Sequence, residues 1–385
     1  MEIRKNVAPE FVLGAGALDL VGRYASNFAA KKVLVVSDPG VVAAGWAEMV
    51  IASLRGANIP SVLCVGVSPN PRDDEIMAGA DMFLAEGCDV IVAVGGGSPM
   101  DAAKGIGIVA TSGQSILSFE GVDQVWVPGP PLICIPTTAG TAADVSQFAI
   151  VNDSARKVKI AIISKAMVPD AALIDPRTTT TMDAELTAAT GIDALVHAIE
   201  AYVSTASSPV TDLHALKAVQ LIPANLAAAI QNPNDMNHRD PMMLGSLFAG
   251  LAFSNASLGL VHAMAHSLGG LLDLPHGMCN ALLLEYVVAF NYMGAPERFA
   301  QLAAAFGVPP EVGADAQKAA LIGALCNLRK AVGLGHGLRK MGVRQEDIPL
   351  LAQHAFHDPC VATNPVQPSV GDIELIYERA LDEPR

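Results

Sequence analysis

Short uninterrupted apolar runs, separated by helix-length patterns, dominate the first half of the chain. Val33-Leu34-Val35-Val36 is rich in β-branched residues and stops at Ser37-Asp38. The pattern then predicts a helix over residues 40–57, a strand over 61–67 and a helix over 73–86. Val90-Ile91-Val92-Ala93-Val94 predicts a third strand, running into Gly95-Gly96-Gly97-Ser98, and Leu132-Ile133-Cys134-Ile135 a fourth. Apolar strands alternating with helices belong to parallel sheets covered on both faces. The pattern therefore predicts an α/β doubly wound domain. Beyond Pro176 helical spacing takes over, across 186–204, 211–230, 241–272, 279–291, 296–306 and 315–332. That predicts a second, all-α domain. The boundary falls between Asp175-Pro176 and Thr181-Met182, giving residues 1–178 and 179–385.

Composition agrees with two domains, since 385 residues exceed the roughly 100–200 of one. Hydrophobic residues reach 51% and charged ones only 16%, against a usual charged share of about 25%. A large core, an oligomer interface or both would absorb that excess, and disorder is excluded. A net charge of −14 and the lack of any basic run longer than two residues argue against nucleic-acid partners. The N-terminus Met1–Asn6 lacks the apolar stretch of a signal peptide. Six cysteines without a CxxC pair fit a reducing cytoplasm. Residues 241–272 carry no Asp, Glu, Lys or Arg, which hydropathy alone would score as a membrane span. Asn255, His262, His266 and five glycines there are unsuited to lipid. The segment is read as one helix buried in protein, with no membrane partner.

Three places in the first half suggest a nucleotide. Gly95-Gly96-Gly97-Ser98-Pro99 opens a helix, with Ser98 as a candidate cap and Pro99 at the first helical position. Glycines let backbone N–H groups approach an anion such as a pyrophosphate, and the helix dipole favours it. A plain strand–turn–helix junction has the same residues, and GxGxxG is absent. Asp38 ends the first strand, where a carboxylate can bind the ribose hydroxyls of NAD and repel the 2′-phosphate of NADP. It is equally a turn residue before Pro39-Gly40. Pro136-Thr137-Thr138-Ala139-Gly140-Thr141 offers hydroxyls to a phosphate or a nicotinamide amide, or simply forms a turn.

The helical half carries candidate metal chemistry. Asp193 and His197 are spaced i,i+4, on one helix face, as are His262 and His266, and His276 follows in Leu274-Pro275-His276-Gly277. Imidazoles in so apolar a region need hydrogen bonds or a metal. Asp193, His197, His262 and His276 would supply one oxygen and three nitrogens, a set suited to Fe²⁺ or Zn²⁺. Hydrogen-bonded core histidines are the alternative.

These segments, Gly95–Lys104, Pro136–Thr141, Gly191–Glu200, and Gly259–His266 through Pro275-His276-Gly277, together resemble the iron-containing (group III) alcohol dehydrogenases, nearest the lactaldehyde reductase and 1,3-propanediol dehydrogenase branches. The resemblance implies an N-terminal NAD-binding domain and a C-terminal metal domain, with the active site in the cleft between them. It implies metal ligands Asp193, His197, His262 and His276. Cofactor contacts would be Asp38, Gly96, Gly97, Ser98, Thr137, Thr138 and Lys159. His266 would lie near the nicotinamide as a proton relay or a structural hydrogen-bonding group. Phe148, Phe253 and Cys360 would surround a small alcohol or aldehyde. Family habit also implies a homodimer or larger homo-oligomer. One departure is Ala142-Ala143-Asp144, where many members carry Gly-Ser-Glu. A glycerol-dehydrogenase-like or dehydroquinate-synthase-like enzyme also joins an NAD domain to a metal domain, but the stretch 259–277 fits the iron group better. A catalytically silent sensor would be expected to have lost a ligand, and none is lost.

Overall fold

The four apolar runs become four adjacent strands of one sheet. A computed structural model describes residues 4–382; residues 1–3, on which part of the N-terminal reading rests, lie outside it. Contacts divide the described residues into an α/β unit, Val7–Thr181, and a helical unit of residues 182–382 together with residues 4–6.

The strands of the α/β unit are β1 (Glu10–Leu13), β2 (Val33–Val36), β3 (Ser61–Cys64), β4 (Val90–Gly95), β5 (Gly121–Val122), β6 (Leu132–Pro136), β7 (Phe148–Asp153), β8 (Val158–Ile163) and β9 (Ala171–Ile174). Six form a sheet in the order β1-β9-β6-β4-β2-β3, parallel throughout. The others form a small second sheet, β5-β8-β7, in which β7 and β8 are antiparallel. The helices are α1 (Val21–Asn27), α2 (Pro39–Ala43), α3 (Trp46–Gly56), α4 (Asp73–Ala85) and α5 (Gly97–Ser112). Side chains alternate across the main sheet as a period of two requires. Val33, Val35, Val92, Val94, Ile133 and Ile135 pack with Val21, Val50 and Leu54 on one face. Leu34, Val36, Ile91, Ala93 and Cys134 pack with Ile76, Ala103 and Ile106 on the other. The single helix read over 40–57 is instead the pair α2 and α3, because Gly45 takes φ +87° between them.

The helical unit holds α6 (Ala184–Val203), α7 (Pro209–Gln231), α8 (Met236–Ala256), α9 (Leu260–Leu272), α10 (His276–Asn291), α11 (Pro296–Phe306), α12 (Ala314–Ala331), α13 (Ile348–Phe356) and α14 (Val370–Leu381). Asp183 caps α6, accepting from the Leu186 N–H. Helices α6, α7 and α8 pack on one another, and α10 packs on α6 and α9. The buried helix read over 241–272 is really two: the chain bends by 97° between α8 and α9, where Ser257 adopts φ +62°. That bend sets the start of α9, with its histidines, at a new direction.

One buried ion pair staples α10 to α12. The Arg329 guanidinium donates to Glu285 Oε1, with side chains only 2% and 5% exposed. Burial pushes the Glu285 carboxyl up while Arg329 pulls it back. Arg329→Met leaves that carboxyl buried without its partner, so urea unfolding is expected to show a loss of about 3–5 kcal/mol. Adding Glu285→Leu to the same chain should recover most of it. A single-variant loss below about 1 kcal/mol, the size of an exposed pair, would contradict this.

Candidate active site

The glycine loop leaves the carboxyl end of β4. Gly95 has φ +155°, and a Cβ there would stand 2.6 Å from Pro99 Cγ, so only glycine fits. The helix begins two residues earlier than the sequence suggested: Gly96 is the N-cap of α5, and Ser98 does not cap it, its hydroxyl donating instead to Pro69 O. A Cβ on Gly97 would lie 2.9 Å from Thr141 Cγ2, and one on Gly96 3.2 Å from Thr138 Cγ2. The threonine turn thus lies against the glycine loop. Thr137 is buried and its N–H donates to Gly95 O at 2.8 Å. Asp38, at the end of neighbouring β2, caps α2 by accepting from the Val41 N–H at 3.0 Å. Its Oδ2 would lie 3.4 Å from a Cβ on Gly95. Asp38, the glycines and Thr137–Thr138 therefore meet at the carboxyl ends of adjacent parallel strands, where open α/β sheets bind ligands.

Behind this loop lies a buried polar support. Lys104 on α5 donates to Ser146 O (2.9 Å) and Phe148 O (2.7 Å), tying the helix to the chain entering β7. Burial lowers the Lys104 pKa and pushes the Asp144 carboxyl up to about 6. Lys159 sits in β8 opposite Asn152, and Phe148 begins β7. A groove of about 690 Å³, lined by Ile91, Leu132 and Trp126, opens near the amino ends of β4 and β6 and is separate from the glycine loop.

In the helical unit the structure brings four predicted side chains together. Asp193 and His197 come from α6, His262 from the first turn of α9, and His276 from the start of α10. One donor atom from each lies within 4.8 Å of every other. Asp193 Oδ1 is 3.8 Å from His262 Nε2 and 3.7 Å from His276 Nε2. A tetrahedral ion with bonds of about 2.0–2.2 Å separates its ligands by about 3.3–3.6 Å, so the cluster fits a divalent cation after a small contraction. Asp193, His197 and His262 are buried, while the His276 side chain stays 24% exposed. That leaves one side open to a small molecule.

The surroundings of the cluster have clear chemistry. Phe253 of α8 stacks on the His197 ring at 4.4 Å. His266, one turn beyond His262, stacks on His276 at 5.3 Å and joins Asp358 through Nδ1 at 2.8 Å. Burial raises the Asp358 carboxyl, but the adjoining His266 outweighs it and holds the pKa below its ordinary value. Asp358 also accepts from the Cys360 N–H at 2.8 Å, and burial drives the Cys360 thiol well up. Phe253, His266 and Cys360 thus share the helical unit with the cluster, whereas Phe148 and Lys159 belong to the α/β unit.

Three polar side chains escaped the sequence reading. Glu200 Oε2 lies 2.6 Å from His262 Nδ1, and burial pushes its pKa up while the backbone N–H groups of Val261, Gly259 and His262 pull it down. Asn280 Nδ2 donates to Asp193 Oδ1 at 2.6 Å and stands 3.1 Å from the Nε2 atoms of His262 and His276. Asp358 is the third. The available signal was position: Glu200 and Asn280 fall i+3 from His197 and i+4 from His276, polar residues within apolar helices.

Residues 8–176 match the family model for iron-containing alcohol dehydrogenase, and residues 187–381 match its C-terminal counterpart. The chain belongs to the iron-containing alcohol dehydrogenase family. Within that family it is 41% identical over 377 residues to the NAD-dependent methanol dehydrogenase of Bacillus methanolicus, covering 97% of this chain and 99% of the relative. It is 40% identical to the 1,3-propanediol dehydrogenase of Citrobacter freundii, covering 95% and 96%. The solved structure of a 1,3-propanediol oxidoreductase superposes with a TM-score of 0.96 at 38% identity, covering 99% of this chain and all of the other. As a member of this family the chain is a metal-dependent alcohol dehydrogenase.

Proposed function

We propose that the enzyme interconverts short primary alcohols or diols and their aldehydes, with NAD(H) as the hydride carrier. The observation that carries this reading is the cluster of buried Asp193, His197 and His262 with half-buried His276, and Phe253 stacked against it. Those four side chains would hold Fe²⁺ or Zn²⁺, since three imidazoles and a carboxylate suit either ion. A bound ion would supply Lewis acidity to an alcohol or carbonyl oxygen, the same effect by which catalytic metals lower the pKa of bound water to about 7. Phe253 offers an apolar wall to a short carbon chain, and Phe148 and Cys360 are proposed as further substrate contacts. His266, held at Nδ1 by Asp358, leaves Nε2 to pass a proton toward solvent. Gly96, Gly97 and Ser98 bind the pyrophosphate through backbone N–H groups, Asp38 takes the ribose hydroxyls, and Thr137, Thr138 and Lys159 complete the cofactor contacts. Residues 1–178 act as the NAD-binding part and 179–385 as the catalytic part.

The same reading extends to assembly and compartment. β1 is an edge strand whose Phe11 and Leu13 stay 41% and 40% exposed, which favours pairing of subunits in a homodimer or a larger assembly. Six free cysteines favour the cytoplasm.

The test is a panel of C2–C4 aldehydes and diols assayed with NADH or NAD on iron-loaded and zinc-loaded protein. Turnover with short substrates that disappears on chelation and returns with metal is expected. Equal rates before and after complete metal removal would overturn the reading.

A further inference from the structure

Glu200 lies seven residues beyond Asp193 and three beyond His197 on α6, so all three project from one helix face. It is 3% exposed. Its two oxygens are divided: Oε2 lies 2.6 Å from His262 Nδ1, and Oε1 accepts from the Val261 N–H at 2.6 Å. The α9 terminus lacks a cap of its own, because the N-cap residue is Gly259. A Cβ on Gly259 would stand 3.0 Å from Glu200 Oε1 and 2.8 Å from Asn364 Oδ1. The glycine therefore admits both side chains to the helix end, where Asn364 accepts from the Leu260 N–H at 3.1 Å. A carboxylate supplied by α6 thus does two things at once: it caps α9 and grips the outer nitrogen of a histidine whose inner nitrogen faces Asp193.

We propose that Glu200 is the positioning residue of the metal site, fixing the tautomer and ring orientation of His262 and locking α9 to α6, so that the ligands are set before an ion arrives. This rests on the metal reading above and extends it to a residue outside the four ligands. With the Nδ1 proton donated to Glu200, Nε2 keeps its lone pair for the ion. A carboxylate on the outer nitrogen of a ligating imidazole also raises its basicity, and loss of such a partner typically weakens metal binding 10–100-fold. Glu200→Gln has the same shape but one acceptor oxygen, so it cannot serve both the Val261 N–H and His262 Nδ1.

The test is Co²⁺ titration of the metal-free full-length protein and of its Glu200→Gln variant, followed by the visible d–d absorption of the bound ion, with the melting temperature of both metal-free forms recorded alongside. A Kd raised about 10–100-fold with an altered absorption band is expected. A Kd within twofold of the parent, with only the melting temperature lowered, would reduce Glu200 to a helix cap and overturn the proposal. Failure of the parent protein to bind Co²⁺ would overturn the metal reading itself, and this inference with it. A second measurement needs no variant: ¹⁵N shifts of the labelled His262 ring in the metal-free parent should report a protonated Nδ1 and a bare Nε2, and the opposite tautomer would overturn the proposal.

Discussion

In the His262→Ala variant, bound metal and alcohol turnover are expected to fall together. His262 comes from α9 and shares the cluster with Asp193 and His197 of α6 and His276 of α10. Its removal takes one of three nitrogens from the set. Lewis-acid activation is worth several kcal/mol, and each 1.36 kcal/mol is tenfold in rate, so kcat/KM should drop by roughly 10³-fold or more. The variant also loses the donor to the buried Glu200 carboxyl, a strain of about 1–3 kcal/mol on folding. His276→Ala separates the two effects, because that side chain is 24% exposed at a helix start: it should lose metal and activity with little change in melting temperature. Metal analysis beside steady-state kinetics decides the matter. Full turnover by a metal-free His262→Ala protein would refute the ligand set.

Asp38→Gly is expected to move cofactor preference from NAD toward NADP. Two unit charges 4 Å apart interact by about 4 kcal/mol at an effective dielectric constant of about 20. A partly exposed carboxylate facing a ribose 2′-phosphate retains part of that. A change of about 1.4–2.8 kcal/mol, or 10–100-fold in the ratio of kcat/KM values for the two cofactors, is the expected size. Asp38 also caps α2. Glycine is the informative substitution because it costs only a few tenths of a kcal/mol at an N-cap, which keeps the helix while removing the charge. An unchanged ratio would leave Asp38 with its capping role alone.

The parts of this molecule that were legible in its sequence are those with strong local periodicity. β2, β4 and β6 read clearly because strands buried on both faces are continuous apolar runs. β7 and β8 did not, since Arg156, Lys157 and Lys159 interrupt their half-covered hairpin. β9 is four residues, Ala-Ala-Leu-Ile, too short to distinguish from a helix fragment. The break at Ser257 was hidden for another reason: the flanking helices are both apolar, and only the tertiary bend gives that residue its positive φ. At the site, the ligands were legible because coordination demands particular side chains at i,i+4 spacing. Glu200, Asn280 and Asp358 were not, because each meets its partner across helices or loops far apart in sequence. Ser98 misled for a local reason: a serine before a proline looks like a cap, but the glycines let α5 start earlier.

The most direct test of the central claim is an anomalous-difference map from crystals of the iron-loaded protein, recorded above and below the iron absorption edge. One peak is expected within about 2.0–2.3 Å of Asp193, His197, His262 and His276 together. Iron bound at stoichiometric occupancy anywhere else, or no peak among those four side chains in active crystals, would contradict the account.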